Sequence, residues 1–127
     1  MRTAILLIAH GSRQTEANDD TYWAARELSK CSDFAHVQPA FLELTEPDID
    51  SGAETCVARG AERVVLLPYF LSPGRHARMD LEAARQRLSD RHDGVTFLLA
   101  APLGPHEKLV EILHERATHT LDALSEG

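Results

Sequence analysis

The chain has 127 residues, 43% of them hydrophobic, and 13 Lys and Arg against 20 Asp and Glu give it a formal net charge of −7. That length predicts one domain, residues 1–127, able to bury roughly two-thirds of its unfolded surface without disulfide or metal staples. The acidic balance excludes a general affinity for nucleic-acid backbones, and apolar runs of six to eight residues exclude a membrane-spanning helix.

In chain order, residues 4–9 (AILLIA) predict a strand buried on both faces, as in a parallel sheet covered by helices. The N-terminus enters this strand directly, without the longer apolar region and small-residue cleavage site of a signal peptide, so a cytoplasmic protein is expected. Residues 19–29 predict a helix with apolar or small residues at Tyr22, Trp23, Ala24, Ala25 and Leu28. Residues 36–42 (HVQPAFL) predict a second strand. Pro39 forfeits a ladder hydrogen bond there and places that strand at an edge. A weakly amphipathic helix follows over 48–59, with Gly60 as its C-terminal cap. Residues 62–71 hold the third and most apolar strand, and 78–89 a helix striped by Leu81, Ala84 and Leu88. Residues 94–101 (GVTFLLAA) hold the fourth strand. The longest helix, 105–124, has Leu109, Val110, Ile112, Leu113, Ala117, Leu121 and Leu124 near a 3.6-residue period, and Ser125, Glu126 and Gly127 are expected to fray. Cys31 and Cys56 lack the CxxC spacing of a zinc or redox site and read as reduced packing thiols.

Strand–helix alternation implies right-handed crossovers and a parallel sheet. The expected fold is therefore a single flavodoxin-like α/β domain, with a four-stranded parallel sheet in order 2-1-3-4 and helices on both faces. In such a sheet, ligands bind beyond the carboxyl ends of the strands. Strand 1 delivers His10, Gly11, Ser12 and Arg13 to that edge. Strand 2 delivers Glu43, strand 3 Gly74, Arg75 and His76 in the turn after it, and strand 4 His106. Three of the seven histidines and a carboxylate thus reach one edge. Neutral imidazole is a good ligand for cobalt, nickel, iron and zinc. Gly11 and Gly74 suit tight turns and leave room for a bulky ligand, and Arg13, Arg75 and Arg78 suit carboxylates, which a guanidinium grips in a bidentate fork. The pattern is that of a metal-plus-polyanion site.

Structural readings compete at each position. His10 could bond a backbone carbonyl, Glu43 could cap the helix beginning near Pro47, and His106 could start a helix beside Pro105. His36, His92, His114 and His119 read as structural, and Arg78 could be a solvated helix residue.

The segments His10-Gly11-Ser12-Arg13, Asn18, Pro39-Ala40-Phe41-Leu42-Glu43-Leu44 and Pro68-Tyr69-Phe70-Leu71-Ser72-Pro73-Gly74-Arg75-His76 resemble those of the sirohydrochlorin chelatases. These class II chelatases insert cobalt, nickel or ferrous iron into a tetrapyrrole. The likeness spans nearly the whole chain; residues 70–76 are its most specific part. It implies a lyase-class enzyme of the short form, which works as a homodimer. It also implies that His10 and His76 hold the metal and accept pyrrole protons, with Glu43 at the metal site. Ser12, Arg13, Gly74, Arg75, Arg78 and His106 would contact the substrate, whose eight carboxylates suit the arginines. The divalent metal (cobalt first, with nickel or ferrous iron also possible) is a substrate, and no permanently bound cofactor is expected. The chemistry agrees with the residues: insertion must strip water from the ion and remove two pyrrole protons. A free imidazole, titrating near ~6.5, suits either task.

Two other enzyme classes fit less well. A histidine phosphatase would place arginine directly before the His-Gly pair, where this chain has Ala9. A nucleotide or flavin binder would want a phosphate-cradling loop, and no GxGxxG or GxxxxGK[ST] is present. The non-enzymatic alternative is a cobalt or nickel carrier using the same histidines; the lack of a His-rich tail weighs against storage.

Overall fold

The computed structural model describes residues 1–126. Four strands and four helices alternate: β1 (Thr3–Ala9), α1 (Thr15–Lys30), β2 (His36–Phe41), α2 (Ile49–Ala58), β3 (Arg63–Pro68), α3 (Arg75–Arg91), β4 (Thr96–Leu99) and α4 (Glu107–Glu126). The sheet is parallel throughout, in the order β2-β1-β3-β4. β1 is central, as its uninterrupted apolar run requires. Pro39 lies on the edge strand β2, where its missing N–H leaves no broken ladder.

The larger core lies between the sheet and helices α2 and α3. Leu6, Ile8, Val64, Leu66 and Phe97 point into it from the strands and meet Ala53, Cys56, Leu81 and Leu88 from the helices. Burial pushes the Cys56 thiol up to about 11, so it stays protonated as a packing residue, whereas Cys31 is exposed. The opposite face is covered by α1 alone, through a smaller cluster of Ile5, Leu7, Ala25 and Val37. α2 is closed at both ends by local chemistry. The Asp48 carboxylate accepts the Ser51 N–H at 2.8 Å, and Gly60, at φ +92°, forms a Schellman turn in which the Gly60 and Ala61 N–H groups donate to the Val57 and Cys56 carbonyls.

The structure departs from the sequence expectation in four places. α1 begins at Thr15 and buries Thr21 and Ala25, while Trp23 is 56% exposed. Four consecutive apolar or small residues, Tyr22 to Ala25, span more than a full turn of helix and do not fix which of them face inward. β3 alternates between buried Val64, Leu66 and Pro68 and half-buried Val65 and Leu67, because no helix covers its second face beside β4. α3 begins at Arg75, three residues earlier than the apolar stripe indicates, so His76 lies in its first turn rather than in the preceding loop. That turn overhangs the core and has no apolar marker. α4 has the expected length, but its apolar stripe is solvent-exposed (Val110, Ile112, Leu113, Leu121 and Leu124), and it makes no substantial contact with any strand or other helix among the described residues. Of the tail expected to fray, Ser125 and Glu126 continue α4 and Gly127 lies outside the described residues.

Candidate functional site

At the carboxyl edge of the sheet the β1 and β2 loops are hydrogen-bonded together. The Leu42 N–H donates to the Ala9 carbonyl and the Glu43 N–H to the His10 carbonyl, both at 3.0 Å. Gly11 makes this possible. Its φ is +93°, and a Cβ there would stand 1.9 Å from the Glu43 carbonyl oxygen. The glycine therefore sets His10 and Glu43 on adjoining strands at one cleft. Glu43 does not cap α2, because Asp48 does. That cleft encloses about 490 Å³ and is lined by His10, Phe41, Leu42 and Glu43, by Asp48, Ile49 and Asp50 of the α2 start, and by Ala77, Asp80, Ala83, Ala84 and Arg87 of α3.

His10 is exposed, and its ring stacks on Phe70 with centroids 4.6 Å apart and planes inclined by 32°. Among the described residues its ring nitrogens take no protein partner, so the carbonyl-bonded reading of this histidine does not hold. On its other side, His10 borders a smaller hollow with Gly11, Ser12, Asn18 and Tyr69. The Asn18 amide clamps this loop. Its oxygen accepts the Ser12 N–H at 2.9 Å and its nitrogen donates to the Ser12 carbonyl at 2.7 Å. The Ser12 hydroxyl accepts the Gln14 N–H.

His76 is exposed one residue before the cleft-lining Ala77. Among the described residues, no three His, Cys, Asp or Glu side chains converge closely enough to hold a metal ion. His10, His76 and Glu43 therefore share the edge without forming a closed ligand set. Arg13, Arg75 and Arg78 are exposed and do not line the cleft. The arginine that does is Arg87, whose guanidinium donates to Asp50 at 3.0 Å. Gly74 caps α3 with ordinary extended angles, φ −65° and ψ 170°, and a Cβ there would meet nothing within 4 Å. It leaves open space but is not needed for a tight turn. His106 starts α4, its Nδ1 accepting the Lys108 N–H at 3.0 Å. Hydrogen bonds from Ser51 lower the pKa of Asp48, which keeps it charged at the cleft.

Sequence reasoning gave Phe70, Asn18, Asp80 and Arg87 no role at the site. Asn18 by itself, and Phe70 within the segment 68–76, entered only as residues that carry the resemblance. Asp80 and Arg87 sat on a helix surface, where nothing in the pattern marks the side facing the cleft.

The edge thus combines a strand-end histidine seated on an aromatic ring, a second histidine at the mouth, and a cleft with four carboxylates against one arginine. The family model for CbiX matches residues 4–120. The chain belongs to the CbiX family. This CbiX-family chain is 36% identical, over 92% of its length, to the chloroplastic sirohydrochlorin ferrochelatase of Arabidopsis thaliana, and covers 52% of that protein. It is 32% identical to the sirohydrochlorin cobaltochelatase of Sulfolobus acidocaldarius, covering 92% of its own length and 91% of that protein. In structure it is similar to the sirohydrochlorin chelatase SirB of Bacillus subtilis subspecies spizizenii in complex with cobalt, with a TM-score of 0.86 and 28% identity over 94% of this chain and 51% of that one. The CbiX-family chain thus spans about half the length of the plant relative and of SirB.

Proposed function

We propose that this chain inserts a divalent metal into sirohydrochlorin, with Co²⁺ first and Fe²⁺ or Ni²⁺ as alternatives. The observation that carries the reading is His10, held at the end of β1 on Phe70 and beside Glu43 at an acidic cleft, in a chain of the CbiX family. The metal is a substrate. It arrives as an aquo ion and leaves bound to four pyrrole nitrogens, and two N–H protons are released for each ion taken up. Carboxylates at Glu43, Asp48, Asp50 and Asp80 attract the cation and repel the carboxylates of the macrocycle. The macrocycle therefore lies over the cleft mouth, with its carboxylates toward the exposed Arg13, Arg75 and Arg78. His10 and His76 replace water on the ion and take up the pyrrole protons as metal–nitrogen bonds form. Glu43 assists in holding the ion.

A flat macrocycle needs a wall on each side, and one small sheet supplies one. We propose a homodimer whose second copy supplies the other; the exposed apolar stripe of α4 supports this. As to location, no helix is long and apolar enough to cross a membrane. The deciding assay is incubation with sirohydrochlorin and each of Co²⁺, Ni²⁺ and Fe²⁺ while following the absorbance of the macrocycle. Acceleration over the spontaneous rate is expected. Metal binding without acceleration would identify a carrier instead.

A further inference from the structure

The cleft beside His10 carries a cation of its own. Among the described residues that line it, Arg87 supplies the one guanidinium, set against the carboxylates of Glu43, Asp48, Asp50 and Asp80. That guanidinium is tied down. Its Nη2 donates to the Asp50 Oδ1 at 3.0 Å, and its Nε donates to the same oxygen at 3.3 Å. Its charge also reaches the neighbouring carboxylate: the Asp48 carboxyl is held below its ordinary range first by the Ser51 hydrogen bonds and further by Arg87. One arginine thus answers both acidic residues at the start of α2.

The helix α3 sets where this cation stands. Its cleft side is the row Ala77, Asp80, Ala84 and Arg87, a spacing that keeps the residues on one face. The rise from Ala77 to Arg87 is ~15 Å. Ala77 follows His76, so the row begins at the histidine edge and ends at Arg87. Both partners of the Arg87–Asp50 bridge are half-exposed, and such pairs add little to stability. The larger consequence of the bridge is the field it leaves inside the cleft. Four carboxylates against one guanidinium give the lining a formal charge of −3; without Arg87 it would be −4.

We infer that Arg87 is a built-in counter-cation that closes the Asp48–Asp50 end of the cleft to the metal and confines the ion to His10 and Glu43. This rests on the proposed metal insertion and names a residue that positions its metal. A divalent cation drawn into the cleft is attracted by every carboxylate there, but only an ion beside His10 can pass to the macrocycle at the mouth. An ion held by Asp48 and Asp50 has to be released before it meets a pyrrole nitrogen. A guanidinium is permanently charged, and its fork of donors matches a carboxylate, so it occupies that end at every working pH. Arg87 touches neither the ion nor the macrocycle in this role. It acts as a positioning residue, through charge.

The test is a charge cycle in the full chain: Arg87→Met, Arg87→Lys, and Arg87→Met combined with Asp50→Asn. Binding of Co²⁺ alone is measured by calorimetric titration, and insertion by the absorbance of sirohydrochlorin. Arg87→Met is expected to bind Co²⁺ about tenfold more tightly, the order for one unit charge acting on a doubly charged ion across a solvated cleft. It should also lower kcat while leaving the KM for sirohydrochlorin unchanged. Arg87→Lys and the double variant, which both restore the formal charge of the lining, should return affinity and kcat toward those of the unaltered chain. Unchanged or weaker Co²⁺ binding in folded Arg87→Met would overturn the inference and leave Arg87 as a tie between α2 and α3. A raised KM for sirohydrochlorin at unchanged Co²⁺ affinity would overturn it too, making Arg87 a receptor for the carboxylates of the macrocycle. Should Arg87→Met not fold, Arg87→Gln carries the same expectations. No insertion by the unaltered chain would instead sink the functional reading, while the Co²⁺ affinities still report on Arg87 by themselves.

Discussion

His10 and Glu43 hang on one backbone feature, the left-handed Gly11, whose neighbour across the loop junction is the Glu43 carbonyl. Gly11→Ala is expected to lose at least about 2 kcal/mol of stability, from the left-handed strain of an L-residue together with displacement of the β2 loop, measured as a fall in the denaturation midpoint. It should also lose insertion activity, because the loop that moves carries Glu43. His10→Ala and His76→Ala are each expected to slow insertion by at least ~10²-fold with an unchanged circular dichroism spectrum, since both side chains are exposed and pack little core. Full insertion rates in folded His10→Ala and His76→Ala chains would remove the proposed chemistry. The histidines were legible in the sequence because the ends of apolar runs locate the binding edge. Phe70 beneath His10 was not, because ring stacking between separate loops leaves no periodic trace.

Among the elements, α2 shows how local signals place a helix against the cleft. Asp48 caps it, lines the cleft and carries a lowered pKa. Asp48→Ala is expected to cost about 1 kcal/mol, as for other lost N-caps. The sign of its pH dependence follows from the depressed folded-state pKa. The cap's contribution is complete above the unfolded carboxylate value near ~3.9 and disappears as pH falls through the lower folded value. Denaturant titrations should therefore show a constant gap between Asp48→Ala and the unaltered chain from pH 7 to about 5, closing below about pH 4; a gap unchanged in acid would mean that the carboxylate charge is not what caps the helix. α3 is the contrary case. Its apolar stripe of Leu81, Ala84 and Leu88 was readable, yet its first turn, with His76, was not, since only the packed part of a helix is patterned by the core.

Over the whole molecule, charge is segregated. The cleft gathers Glu43, Asp48, Asp50 and Asp80 around Arg87, while Arg13, Arg75 and Arg78 stand outside it. If the three outer arginines hold the carboxylates of the macrocycle, replacing each with alanine should raise KM more than it lowers kcat. Added salt should do the same to the unaltered chain, because exposed charge pairs are screened. An unchanged KM in all three variants would leave them as solvated surface. By itself the sequence determined the alternation of strands and helices, the order 2-1-3-4 with Pro39 at the edge, and the gathering of His10, Glu43 and the β3–α3 loop at one end of the sheet. These follow from apolar periodicity, chain connectivity and the handedness of crossovers, which act along the chain. Only the tertiary structure decided that Trp23 faces outward, that Arg87 rather than Arg13, Arg75 or Arg78 stands in the cleft, and that the stripe of α4 remains uncovered. The reason is physical: a pattern states that a face is apolar, but which surface covers it depends on where the preceding loop aims the element in space.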